Sequence, residues 1–109
     1  MAEFRLLQDR DKEQASALWQ ECFGDSDGFC RWFMSEQWNG EYSVAAVEEG
    51  KLVSMIHGRP YTLCIRGRGV PSVIMCGVAT APAYRHRGLM RRCMELFERN
   101  ARDLSLIHI

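Results

Sequence analysis

The residues best placed to do chemistry lie between Gly77 and Phe97. Arg85, Arg87, Arg91 and Arg92, with His86 among them, crowd into eight positions, and Gly88 stands where a strand-like apolar run gives way to a helical period. At a helix start the first four backbone N–H groups lack intrahelical partners, and the aligned peptide dipoles direct positive charge outward. A phosphate placed there is bound by the backbone itself. A Cβ at Gly88 would push such a group away from the N–H donors. Arg85 and Arg87 would add charge-assisted hydrogen bonds of about 1.5–3 kcal/mol each before side-chain ordering is counted. Without a bound anion, this much positive charge beside the positive end of a helix costs stability.

The rest of the chain isolates this patch. Fourteen basic residues balance 14 acidic ones, so bulk charge does not favour a polyanion track and the cluster reads as a seat for one anionic group. Nucleic-acid binding would rest on the arginines alone, without aromatic interleaving. Cys22, Cys30, Cys64, Cys76 and Cys93 are odd in number and show no C-x-x-C pair. They read as free thiols in a reducing compartment, not as a disulfide framework or a zinc site. Cys76, in an apolar strand, would have a raised pKa and little thiolate, so packing is preferred to a nucleophilic role. His86 has no second ligand at metal-binding spacing. G-x-S-x-G, H-E-x-x-H and Walker A patterns are missing. No signal peptide or membrane-length apolar run is read, and a cytoplasmic, soluble protein is expected.

The elements that must position the cluster follow from periodicity. Phe4 to Leu7 is read as an edge strand, with Asp9 or Asp11 as N-cap of a helix over Lys12 to Phe23 and Gly24 as its C-cap. Asp25 or Ser26 would cap a second helix carrying Phe29, Trp32 and Phe33, ended by Asn39-Gly40. Strands are expected over Tyr42 to Val47 and Leu52 to His57. Gly58 and Pro60 should interrupt the second, which resumes from Tyr61 to Ile65. Gly67 and Gly69 mark a turn into Val73 to Thr80, a strand read as covered on both faces. Leu89, Met90, Cys93, Met94, Phe97 and Ala101 then recur at helical steps. Three i,i+4 pairs, Arg91–Glu95, Glu95–Arg99 and Glu98–Arg102, lie on the opposite face. The order is β-α-α-β-β-β-α in one domain over residues 1–109, of class α+β in a three-layer arrangement.

These residues resemble the GNAT superfamily of N-acetyltransferases, whose motif R/Q-x-x-G-x-G/A follows a strand ending V-x-V-x-P. Here Val78-Ala79-Thr80-Ala81-Pro82 and Ala83-Tyr84 precede Arg85-His86-Arg87-Gly88-Leu89-Met90. Met90 departs from the small residue of the last motif position. With Leu89 and Gly77 it matches the Eis-like branch, where R-x-x-G-L-L/M is common. The resemblance is sharp from Gly77 to about Phe97 and covers the order of elements over nearly the whole chain. It implies a mixed, mostly antiparallel sheet flanked by helices and acetyl-CoA as cosubstrate, with no metal. Val78, Ala79 and Thr80 would lie along the pantetheine arm, and His86, Arg87, Gly88, Leu89, Met90 and Arg91, with Arg85, would wrap the pyrophosphate. His57 and Tyr61, near the expected bend, would border the acceptor-amine pocket, which the first two helices also flank.

The implied reaction is direct attack of a primary amine on the acetyl thioester. The acceptor stays open between an aminoglycoside-like amine, a polyamine and a protein Lys or N-terminus, and so does a homo-oligomeric state. Further family elements would follow Ile109, so the chain is expected to be the donor-binding part of a longer domain and inactive alone. In the Eis-like branch the base and the acid roles fall to a Tyr on a following helix and a C-terminal carboxylate; no residue here is assigned to either role. A non-catalytic CoA-binding or regulatory module is the alternative.

Overall fold

A computed structural model describes residues 2–108. Strand β1 (Glu3–Leu6) leads through a 3-10 turn into α1 (Lys12–Phe23) and α2 (Asp27–Glu36). Strands β2 (Val44–Glu48), β3 (Lys51–Ile65) and β4 (Arg68–Thr80) follow, then α3 (Leu89–Asp103) and the short β5 (Ile107–His108). The sheet runs β1-β2-β3-β4-β5. Its ladders are antiparallel except the last, where Ser72 and Val73 of β4 pair in parallel with β5. This is the expected element order with one strand added at the end; Ile109 lies outside the described residues.

The three layers follow from the alternation of side chains along a strand. Ala45 and Val47 of β2, with Leu52, Met55, Ala79 and Ala81, pack against Ala15, Leu18 and Trp19 of α1 and Cys30, Phe33 and Met34 of α2. Val44 and Ala46, with Val53, Ile56 and Val73, face Leu89, Cys93, Phe97 and Ala101 of α3. Every one of these side chains is buried.

Capping is decided locally. Gly24 ends α1 at φ 69, its N–H bonded to Gln20 O at 2.9 Å. Ser26 Oγ accepts from Phe29 N at 3.1 Å and starts α2. Asp11 precedes α1 but makes no cap bond to it. Its carboxylate instead accepts from Gln8 N at 2.7 Å and from two Arg5 N–H groups at 2.7 and 3.0 Å. Burial pushes that carboxyl's pKa up, but the hydrogen bonds from Arg5 and Gln8 outweigh it and the net shift is down.

Two readings of the sequence are corrected. Gly58 and Pro60 do not break β3, which runs unbroken from Lys51 to Ile65. The last residue of β3 with a β2 partner is Ile56. Pro60 therefore lies where one side of β3 pairs with no strand among the described residues, and a missing N–H is tolerated there. Gly58 serves close approach instead: its N–H donates to Ser43 Oγ at 2.9 Å, and a Cβ would collide with Tyr42 O. Strand β4 is not covered on both faces. Ser72, Val73 and Ala79 are its buried residues, and Val78 is 38% exposed; β5 pairs only with Ser72 and Val73, near the middle of the strand.

Candidate functional site

The segment joining β4 to α3 is built to expose backbone donors. Pro82 to Tyr84 form one 3-10 turn, with Tyr84 N bonded to Ala81 O at 2.9 Å. His86 and Gly88 then both take positive φ, 66° and 74°. For a residue with a Cβ that conformation costs roughly 1–2 kcal/mol, which explains glycine at the second position. No side chain caps α3, and its first backbone bond runs from Arg92 N to Gly88 O at 3.3 Å. The N–H groups of Leu89, Met90 and Arg91 are thus left outside the helical ladder.

They border a cleft of about 430 Å³ between the end of α1, the second half of β4 and the start of α3. Val78, Ala79, Thr80, Arg85, His86, Gly88, Leu89, Met90 and Arg91 line it, nine of the ten donor-binding candidates. Arg85 is tied into the wall by Nε donating to Thr80 O at 3.0 Å, with Nη2 3.8 Å from Cys22 Sγ. Arg87 is the exception. It turns away, its guanidinium 5.0 Å from the Tyr84 ring centroid and Nη1 4.0 Å from Glu48 Oε1. Arg92 stacks on Phe4 at 4.1 Å. Cys22, Phe23 and Tyr84 also line the cleft, and the sequence reading did not single them out. Tyr84 lies inside the motif segment and was within reach; the end of α1 arrives only through tertiary packing.

The structure does not bring His57 and Tyr61 together. Tyr61 is 51% exposed on the part of β3 that projects past β2. His57, four residues and about 13 Å back along the strand, is 1% exposed. Trp19, Phe33 and Trp38 surround its ring at centroid distances of 5.4–5.6 Å, and Nε2 lies 3.2 Å from Met55 Sδ. Its Nδ1 has no partner. Burial holds the imidazole pKa down at about 4, so it is neutral at pH 7. An unpaired buried nitrogen of this kind costs about 1–3 kcal/mol. Cys76 is half-buried with its thiol pushed up by burial, against a smaller opposing effect of Arg59. Among the described residues no group of three or more His, Cys, Asp or Glu could hold a metal ion. None of the described helices is long and apolar enough to cross a membrane.

Residues 3–105 match the family model described as acetyltransferase (GNAT) domain. No curated protein matches the chain. Among solved structures, a GCN5-related N-acetyltransferase from Kribbella flavida superposes with a TM-score of 0.86 at 19% identity, over 97% of this chain and 28% of its own. Eis1 from Mycobacterium abscessus gives 0.79 at 15% identity, over 97% and 26%. The aminoglycoside N-acetyltransferase AAC(6')-Iy, solved in complex with CoA, gives 0.81 at 16% identity, over 99% and 74%. The chain spans little more than a quarter of the first two, and at these identities the likeness is one of fold.

Proposed function

Because the chain belongs to the acetyltransferase (GNAT) domain family, we propose that it supplies the donor side of acetyl transfer from acetyl-CoA to a primary amine. The observation that carries this is the cleft in which unpaired helix N–H groups, Arg85 and the strand segment Val78 to Thr80, with Val78 exposed, meet. Its chemistry fits the cosubstrate: an anionic pyrophosphate needs N–H donors and a cation, and a slender pantetheine arm needs an unoccupied strand side.

Bound acetyl-CoA brings an activated thioester. The chain's own residues then bind and orient. Leu89, Met90 and Arg91 donate backbone N–H to phosphate oxygens, and Gly88 lets those oxygens approach. Arg85, already fixed to Thr80 O, adds a held positive charge at little further entropic cost. Val78 and Thr80 present backbone groups to the pantetheine amides, which sets the thioester's direction. Fixing that direction makes the attack effectively unimolecular and carries much of the rate. The amine would attack the thioester carbonyl directly: a C–N bond forms, the C–S bond breaks, and the proton the amine loses is balanced by one taken up by the departing CoA thiolate. The Eis-like character carried by Leu89 and Met90 belongs to this proposal, as does a polyamine, aminoglycoside-like amine or protein amine as acceptor.

Isothermal titration of the chain with CoA and acetyl-CoA tests the reading, with an oligonucleotide as control. Saturable binding of both, abolished by Gly88→Asp, is expected. Salt-sensitive oligonucleotide binding without CoA binding overturns it. Acetylation of amines by a longer chain carrying this segment separates a transferase from a binding module.

A further inference from the structure

Strand β4 carries a bulge beside the cleft. Met55 of β3 pairs with Ala79, but His57 pairs with Cys76, so Gly77 and Val78 together face Ile56. Gly77 takes φ 58, the left-handed conformation that such a bulge demands of its first residue. The extra residue leaves backbone polar groups outside the ladder. Directly beneath lie Trp19 and His57. A Cβ on Gly77 would collide with the Trp19 ring and stand 2.8 Å from His57 Cδ2.

His57 is the anomaly in this packing. An apolar side chain among Trp19, Phe33 and Trp38 would bury no unpaired nitrogen, so apolar packing alone does not account for an imidazole. The atom facing Gly77 is Cδ2. A half-turn about Cβ–Cγ exchanges Cδ2 with Nδ1 and leaves the ring's outline unchanged. The ring is neutral, so one nitrogen keeps a lone pair that can accept from an N–H. The other can donate weakly to a surrounding aromatic face.

We propose that His57 is a positioning residue for the donor strand: when acetyl-CoA occupies the cleft, the ring turns and Nδ1 accepts a backbone N–H freed by the Gly77–Val78 bulge. The bulge is thereby held in the one arrangement that aligns Val78 with the thioester. This rests on the donor-site reading above. His57 touches neither cosubstrate nor acceptor; it acts through β4. The unpaired nitrogen of the empty protein is then a stability cost retained for the loaded one.

The test uses the wild-type chain and His57→Phe. Acetyl-CoA affinity is measured by titration, thermal stability without ligand by calorimetry, and the His57 ring nitrogens by long-range ¹⁵N–¹H NMR. In the wild type, the Nδ1 resonance should move on acetyl-CoA addition toward the position of a hydrogen-bonded acceptor. His57→Phe should raise the unliganded Tm by a few degrees while weakening acetyl-CoA about tenfold, the loss of one hydrogen bond. A merely structural histidine moves stability and affinity in the same direction, and that outcome overturns the proposal. So does acetyl-CoA binding with an unmoved His57 resonance. Failure of the wild type to bind acetyl-CoA overturns the donor-site reading, and this proposal with it.

Discussion

At the scale of single residues, the cleft divides its arginines into one that is built in and one that is turned out. Arg85 is held against Thr80 O inside the cleft, whereas Arg87 lies over Tyr84 and toward Glu48. Arg85→Ala should therefore weaken CoA binding about tenfold, and Arg87→Ala less than about threefold, read by titration at fixed salt. Equal losses would mean that Arg87 swings in. Gly88→Ala adds left-handed strain of roughly 1–2 kcal/mol at φ 74 and should lower both Tm and CoA affinity. The cation cluster and its glycine were legible because a sequence displays charge and backbone permissiveness directly. The rotation of Arg87 was not, since it depends on where Tyr84 and Glu48 arrive in space. Cys22 and Phe23 escaped for the same reason: helical period placed them on α1, but nothing local brings the end of α1 to β4.

At the scale of elements, local rules decided the helices and misjudged two strands. Gly24 and Ser26 cap as their types predict, and Ser26→Ala should cost about 1 kcal/mol through loss of the bond to Phe29 N, visible as a lower chemical-denaturation midpoint. Gly58 and Pro60 looked like breakers because their rules are stated for strands with neighbours on both sides. Their consequence vanishes where β2 has ended. The near-continuous apolar run of β4 was read as a strand covered on both faces; its half-exposed stretch at Val78 instead borders the cleft. Apolarity cannot distinguish a residue under a helix from one beside a groove. The three acid–base pairs expected along α3 are not among the ion pairs closed to 4 Å between described residues. The helix was nonetheless placed correctly, because its apolar stripe, Leu89, Cys93, Phe97 and Ala101, packed against Val44, Val53 and Ile56 of the sheet, carries the energy.

At the scale of the whole molecule, one titration should dominate mild acid behaviour. His57 is held at about 4 in the folded chain against about 6.5 when unfolded. Between those values the unfolded chain binds a proton that the folded chain refuses, so stability falls as pH drops through this window. At ~1.4 kcal/mol per pH unit the loss approaches roughly 3 kcal/mol by pH 4. Urea midpoints at pH 7 and pH 4.5 should show it, and His57→Phe should flatten most of the slope; an unchanged slope would assign the acid sensitivity elsewhere. The layered architecture was readable from element order alone, whereas the buried histidine was not, since its cage draws rings from both early helices and the loop after them. The partial pairing of β4 carries a further cost. From Ile74 to Ala79 its outer side meets no strand among the described residues, and an open strand edge is a template for intermolecular association. A ligand lying there shields the protein from its own copies as well as presenting a thioester. Light scattering of the empty chain should accordingly rise with concentration, and CoA should suppress it.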